Sequence, residues 1–240
     1  MRTEEMDQFD RTAMLLGRDA LKRLQQSRVA VFGVGGVGGY AVEALARSGV
    51  GALDLIDHDT VSLTNLNRQI LALHSTLGQP KVQVAALRVR DINPACRVTV
   101  QDVFFLPENA DRFDFTLYDY VVDAIDTVAG KLALVRKARE AGTPIICCMG
   151  AGNKLDPTAF EAADIYDTSV CPLARVMRTE CRKRGIDHLR VVYSKEPPMT
   201  PGPSSEPPEG DRRSVPGSVA FAPAAAGLLL ASEVIRALTR

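Results

Sequence analysis

The chain has 240 residues, 46% of them hydrophobic and 24% charged, the balance of an ordinary globular protein. That length buries a full core as one large domain or one domain with a long insertion. Twenty-nine basic and 29 acidic residues cancel to a formal net charge of zero, which excludes nucleic-acid binding by overall charge and leaves only a local patch for it.

Asp10 to Gln25 carries Ala13, Leu16, Ala20, Leu21 and Leu24 in a helical rhythm. Val29 to Phe32 is a short apolar run ending in glycine, as in a buried parallel strand. Val37 to Ser48 reads as a helix stopped by Gly49, and Ala52 to Ile56 as the next strand. Lys81 to Ile92 is a helix ended by Asn93-Pro94. Val98 to Gln101 and Tyr120 to Ala124 are strands, Thr127 to Ala141 is a helix closed by Gly142, and Ile145 to Met149 is a fifth strand. Ala151 to Thr158 is a loop. Leu173 to Arg184 is a basic helix, and Leu189 to Tyr193 is strand-like. Glu196 to Pro216 holds seven prolines and is expected as a mobile crossover loop. Pro223 to Leu238 returns as a helix. The expected fold class is α/β: a doubly wound, mostly parallel, Rossmann-like sheet covered on both faces, with a C-terminal strand and helix extension.

The five cysteines, at 96, 147, 148, 171 and 181, contain no C-x-x-C pair, which argues against a four-cysteine zinc site. Their odd count and the lack of a signal peptide point to reduced thiols in the cytosol. The longest apolar run, Val219 to Ala231, is broken by Pro223 and falls short of the ~20 residues of a membrane span. It reads as a buried helix.

The chemistry gathers where the strands end. Gly33, Gly35, Gly36 and Gly38 follow the first strand and let backbone approach a phosphate at a helix N-terminus. Asp57 ends the second strand at a spacing that suits a ribose-binding carboxylate. A polar run with Thr64, Asn65, Asn67 and Arg68 follows, and Lys81 then opens a helix. A lysine there opposes the helix dipole unless it faces an anion such as a bound phosphate. Asp126 follows the fourth strand; it is either the N-cap of the next helix or a carboxylate holding Mg²⁺ against phosphates, with Thr127 as the other cap. Two cations beside a glycine loop fit an enzyme that holds a triphosphate and expels pyrophosphate.

This set of residues resembles the adenylating enzymes related to ubiquitin-activating enzyme. The resemblance implies ATP and Mg²⁺ as cofactors. It assigns the nucleotide site to Gly33, Gly35, Gly36, Gly38, Asp57, Thr64, Asn65, Asn67, Arg68, Lys81, Asp126 and Thr127. It also implies a homodimer, with Arg11 reaching the partner's nucleotide. Arg11, Arg68, Lys81 and Asp126 are the expected catalytic residues. The motifs Gly150 to Thr158, Ala163-Asp164-Ile165, Cys171 to Arg175 and Ser214 to Ser218 are similar to the branch that acts on threonylcarbamoyladenosine in tRNA. That implies a single adenylating domain over 1–240: a nucleotide-binding core at 1–152, a substrate-binding part at 153–240, and a flexible loop at about 196–216.

Residues 173–195 carry Arg175, Arg178, Arg182, Lys183, Arg184, Arg190 and Lys195 against Glu180 and Asp187. With Lys154, the helical members of this set are the expected tRNA patch; the alternative is a solvated face. Lys154 also stands where it could meet a substrate carboxylate. Cys147 and Cys148 read as packing residues. Cys171 is open between a packing and a catalytic role, and His58 between a general base and a structural histidine. Three other functions stay open: adenylation of a small sulfur-carrier protein's C-terminus, a nicotinamide-dependent oxidoreductase, and a tRNA-binding scaffold. A sulfur-transfer or redox partner is likewise left open.

Overall fold

The computed structural model describes residues 7–205 and 215–240. Along them run α1 (Asp10–Leu16), α2 (Arg18–Gln26), β1 (Arg28–Phe32), α3 (Gly38–Arg47), β2 (Ala52–Asp57), α4 (Lys81–Ile92) and β3 (Arg97–Asp102). They are followed by β4 (Tyr120–Asp123), α5 (Val128–Ala141), β5 (Ile145–Cys148), β6 (Phe160–Asp164), α6 (Pro172–Lys183), β7 (Arg190–Ser194) and α7 (Phe221–Leu238).

The strands form one sheet in the order β3-β2-β1-β4-β5-β7-β6. Neighbours pair in parallel except β6, which runs antiparallel to β7. Alternate residues feed two layers. Val29 and Val31 of β1 join Leu45 of α3, Val89 of α4 and Leu230 of α7. Ala30 and Phe32 join Leu134 of α5 and a cluster of aromatic rings, with Phe105 4.9 Å from Phe32. Met177 of α6 continues that second layer beneath β5 and β7. Successive strands lie to one side of β1 and then to the other, so the direction of winding reverses between β1 and β4. A crevice opens at such a point, beyond the carboxyl ends of the strands.

The five parallel strands and the helices between them follow the sequence expectation, with three differences. The helix expected from Asp10 to Gln25 breaks at Gly17, whose φ of +88° no helix accommodates. β6 was not expected, because its residues are all half-buried and show no alternation. The proline-rich stretch is tied down where it is described: Met199 N–H donates to the Asn153 carbonyl at 2.9 Å. Residues 206–214 of that stretch, Ser214 of the quoted motif included, lie outside the described residues. α7 is long and apolar enough to cross a membrane by length and composition, yet Ala226, Leu230, Ala231 and Val234 are buried in the core it shares with α3 and the sheet.

Candidate active site

The crevice at the switch between β1 and β4 is a cleft of about 960 Å³. Its lining brings together Gly33, Gly35, Gly36, Asp57, Thr64, Asn65, Arg68, Lys81 and Asp126. These residues come from four separate chain segments and meet because every parallel strand ends at the same edge.

The glycine loop is shaped by contacts that only glycine permits. A Cβ on Gly33 would sit 2.7 Å from the Ala124 carbonyl oxygen, and one on Gly38 would sit 1.7 Å from the Gly33 carbonyl oxygen. Gly38 is therefore a packing glycine that seats α3 on the loop, and it is absent from the cleft lining. Gly35 has only the Gln69 Nε2 within reach, at 3.7 Å, so its surface is open toward the cleft.

Asp57 holds the loop in place. One carboxylate oxygen accepts the Val34 N–H at 2.7 Å and the other accepts the Asp59 N–H at 2.9 Å. Each oxygen keeps a lone pair for a ligand hydroxyl. Lys81 is 5% exposed, and its ammonium lies 2.7 Å from Asp59. Asp59, which the sequence reading passed over, thus aims the lysine, and His58 sits 3.2 Å from the same carboxylate. The His58 ring also lies 4.3 Å from that of Phe104, tilted by 53°, and Phe104 is another cleft residue.

The polar run folds as a short 3-10 turn, Leu63–Asn65. Asn65 is buried and accepts the Ser62 N–H at 3.2 Å. Arg68 donates to the Thr64 carbonyl at 2.9 Å and to Asn67 Oδ1 at 3.0 Å, with the residue at the cleft wall. Asn67 differs from its expected role. It is outside the lining and donates instead to the Ser218 carbonyl at 3.0 Å. Gln69, not singled out beforehand, lines the cleft with a buried side-chain oxygen that has no partner.

Asp126 is exposed at the cleft, while Thr127 lies outside its lining. The Thr127 hydroxyl is buried without a hydrogen bond and lies against Gly130 in the first turn of α5. Thr127 holds the N-cap position of α5 without a side-chain cap hydrogen bond, and Asp126 lines the cleft.

The far wall carries thiols. Burial pushes the Cys148 thiol up to about 12, so it stays protonated at neutral pH. Cys171 is 2% exposed and stands at the start of α6, also on the cleft. Beside it Val170 has a φ of +61°, a conformation rare for a β-branched residue. Cys147 is packed in the core of β5, as expected.

Two parts of the expected set fall elsewhere. Arg11 lies exposed on α1, outside its own chain's cleft lining. Lys154, expected either with the surface patch or facing a substrate carboxylate, is 3% exposed and lines the cleft. Its ammonium donates to the backbone carbonyl of Glu196, 42 residues away in sequence. The rest of the basic stretch is on the surface but internally engaged. Arg178 is half-buried and donates to the Thr168 carbonyl at 2.7 Å. Arg182 lies 5.2 Å over the Tyr166 ring. Lys183 and Arg184 both reach Glu180, at 2.7 and 2.5 Å. Arg175 is exposed.

Residues 9–240 match the ThiF family. Over 96% of its length the chain is 43% identical to tRNA threonylcarbamoyladenosine dehydratase of Bacillus subtilis, of which it covers 94%. The Escherichia coli protein of the same name is 46% identical over 71% of this chain, and the aligned part is 63% of that protein. A crystal structure of the E. coli tRNA N6-threonylcarbamoyladenosine dehydratase in complex with ATP superimposes with a TM-score of 0.87. That match has 37% identity and covers 96% of this chain and 93% of the other.

Proposed function

The chain belongs to the ThiF family, and from that premise we propose that it is an ATP-dependent enzyme that dehydrates threonylcarbamoyladenosine in tRNA through a carboxyl-adenylate. The observation that carries this reading is the single cleft lined by the glycine loop, Asp57, Arg68, Lys81 and Asp126. It is supported by likeness, over nearly the whole chain, to dehydratases of that name and to one crystallised with ATP.

The threonyl carboxylate attacks the α-phosphate of ATP. A new P–O bond forms, the bond to the β-phosphate breaks, and pyrophosphate leaves. A ureido nitrogen of the same modified base then adds to the acyl carbonyl, loses its proton, and AMP departs with one carboxylate oxygen. The nucleoside closes a ring and loses the mass of one water. Attack within one bound substrate gives a high effective concentration and needs no protein nucleophile. Arg68 and Lys81 stabilise the negative charge of the departing phosphates. Gly35 and Gly36 bring backbone N–H groups to the triphosphate, and Asp57 receives the ribose hydroxyls.

The residues at the cleft fit Mg²⁺. That ion takes one or two carboxylates together with phosphate oxygens, and Asp126 is an exposed carboxylate on the cleft lining. Bound there, Mg²⁺ would neutralise phosphate charge.

Residues 1–152 supply the nucleotide half of this single adenylating domain, and residues 153–240 supply the substrate half. The working unit is a homodimer in which Arg11 reaches the partner's cleft. Met14 and Leu15, on the same helix as Arg11, are 83% and 89% exposed, an apolar pair suited to an interface. The tRNA backbone meets Arg175, Arg182, Lys183 and Arg184; the pairs that Lys183 and Arg184 make with Glu180 are surface pairs of little strength. The enzyme works in the cytoplasm, where its tRNA is. The test is incubation with ATP, Mg²⁺ and tRNA bearing threonylcarbamoyladenosine, then digestion and mass measurement of the nucleoside. Loss of one water with AMP release is expected. Exchange of ATP with pyrophosphate only in the presence of a Gly-Gly-ended protein would point instead to a sulfur carrier as substrate.

A further inference from the structure

Lys154 is a buried cation whose partner within the chain is not an anion. It is 3% exposed, and its ammonium donates to the backbone carbonyl of Glu196. The Glu196 carboxylate is turned away to the amides of Leu155, at 3.0 Å, and Asp156, at 2.9 Å. Among the described residues no carboxylate lies within ion-pair distance of Lys154. An ammonium has three donors, and one of them is engaged. The nearby Glu196 carboxylate offsets the burial only in part, and an anion in direct contact would offset more of it. Burial accordingly pushes the Lys154 pKa below the ordinary lysine value.

The place of this cation separates it from the phosphate end. Arg68 and Lys81 come from the segment after β2, whereas Lys154 follows β5. β2 and β5 are three strand spacings apart in the sheet, about 14 Å at ~4.8 Å per spacing. The cleft therefore presents cations at both ends. A strap of chain joins the two ends. Gly217 donates to Asn153 Oδ1 at 2.7 Å, its carbonyl accepts the Asn153 N–H at 2.8 Å, and the Ser218 carbonyl accepts from Asn67. Asn153 keeps this clamp in a left-handed conformation, φ +59°. Lys154 is thus fixed under the strap, on the cleft, with Cys171 beside it.

We propose that Lys154 is the substrate-side anion receptor of the cleft, and that its ammonium binds the threonyl carboxylate that is to be adenylated. The proposal rests on the function given above. Holding one carboxylate oxygen leaves the other free to form the bond to the α-phosphate. After adenylation the same ammonium lies beside the acyl oxygen, which takes on negative charge as the ureido nitrogen adds.

The experiment compares binding of two tRNAs to the full-length protein: one bearing threonylcarbamoyladenosine, the other the same tRNA with plain adenosine. A charge-assisted contact should favour the modified tRNA by about tenfold or more. Lys154→Met should erase that preference and lower turnover by about 10²-fold. Lys154→Arg should restore part of both, and ATP affinity should stay within twofold in every variant. Wild-type protein that binds both tRNAs equally would overturn the proposal, whether or not the variants fold. So would a Lys154→Met protein that keeps the preference and the turnover, or one that loses ATP affinity in step with them. If the wild type shows the preference and Lys154→Met erases it, yet no water is lost from the nucleoside, the dehydratase reading fails while the carboxylate receptor stands.

Discussion

Lys131 of α5 and Asp123 of β4 form a fully buried ion pair beneath the cleft. The ammonium lies 3.0 and 3.1 Å from the two carboxylate oxygens and 2.7 Å from the Cys148 carbonyl. Asp123 also accepts the Ile125 N–H at 3.2 Å. The pair therefore pins the ends of β4 and β5 together, and with them the two backbone turns that carry Asp126 and Lys154 into the cleft.

Removing one partner leaves an uncompensated buried charge. Lys131→Met should cost about 3–5 kcal/mol of stability, read by chemical denaturation. The double variant Asp123→Leu/Lys131→Met should regain much of that loss, because no lone charge remains. A Lys131→Met protein as stable as wild type would show that the pair is not a pin.

The glycines divide into packing and ligand positions. Gly38→Ala drives a methyl group into the Gly33 carbonyl, so melting temperature and ATP affinity should fall together. Gly35→Ala meets no atom closer than 3.7 Å. Its melting temperature should hold while ATP affinity drops, since the methyl occupies the space proposed for phosphate. Unchanged ATP binding in Gly35→Ala would move the triphosphate away from this loop.

Asp126→Ala should abolish metal-dependent adenylation, and Lys81→Ala should slow pyrophosphate release by about 10²-fold or more. Both are read by ATP–pyrophosphate exchange on protein with an unchanged melting curve. Near-wild-type exchange in both variants would remove these residues from the phosphate site.

The proposed action of Arg11 on a partner's cleft is decided by a mixing experiment. An Arg11→Ala chain and an Asp126→Ala chain, each inactive alone, should together regain up to about a quarter of wild-type activity after random subunit exchange. One of the two sites in each hybrid dimer is then intact. Continued inactivity, with exchange verified by mass, would argue against an arginine acting in trans.

Glu43 offers a pH test. Burial alone would push its carboxyl up, but hydrogen bonds from Arg88, at 2.5 Å, and Arg47, at 2.7 Å, outweigh burial and hold it below the usual carboxylate value of 4.5. A depressed folded-state pKa means that the unfolded chain binds the proton more readily. The stabilisation is therefore present at neutral pH and is lost as pH falls through the folded-state value. Glu43→Gln should melt below wild type at neutral pH, and the gap should close well below pH 4. A gap independent of pH would mean that the glutamate acts by packing alone.

Local pattern in the sequence determined the strand and helix alternation, the glycine turn, and the choice of Asp57, Lys81 and Asp126 as cleft candidates. Those signals are short-range: apolar runs, helix stops, and residue types that directly follow a strand end. Parallel strands then bring such residues to one edge without further information. The burial of Lys154 was decided by the tertiary structure, through Glu196 and a strap that includes Gly217 and Ser218. The same holds for Arg178, tied to Thr168 by a loop that folds back on α6, and for β6, whose half-buried residues gain their strand only from pairing with β7. Charge on a residue is legible in one letter. Whether that charge faces water, a neighbour or a cleft depends on segments far along the chain, and only packing brings them together.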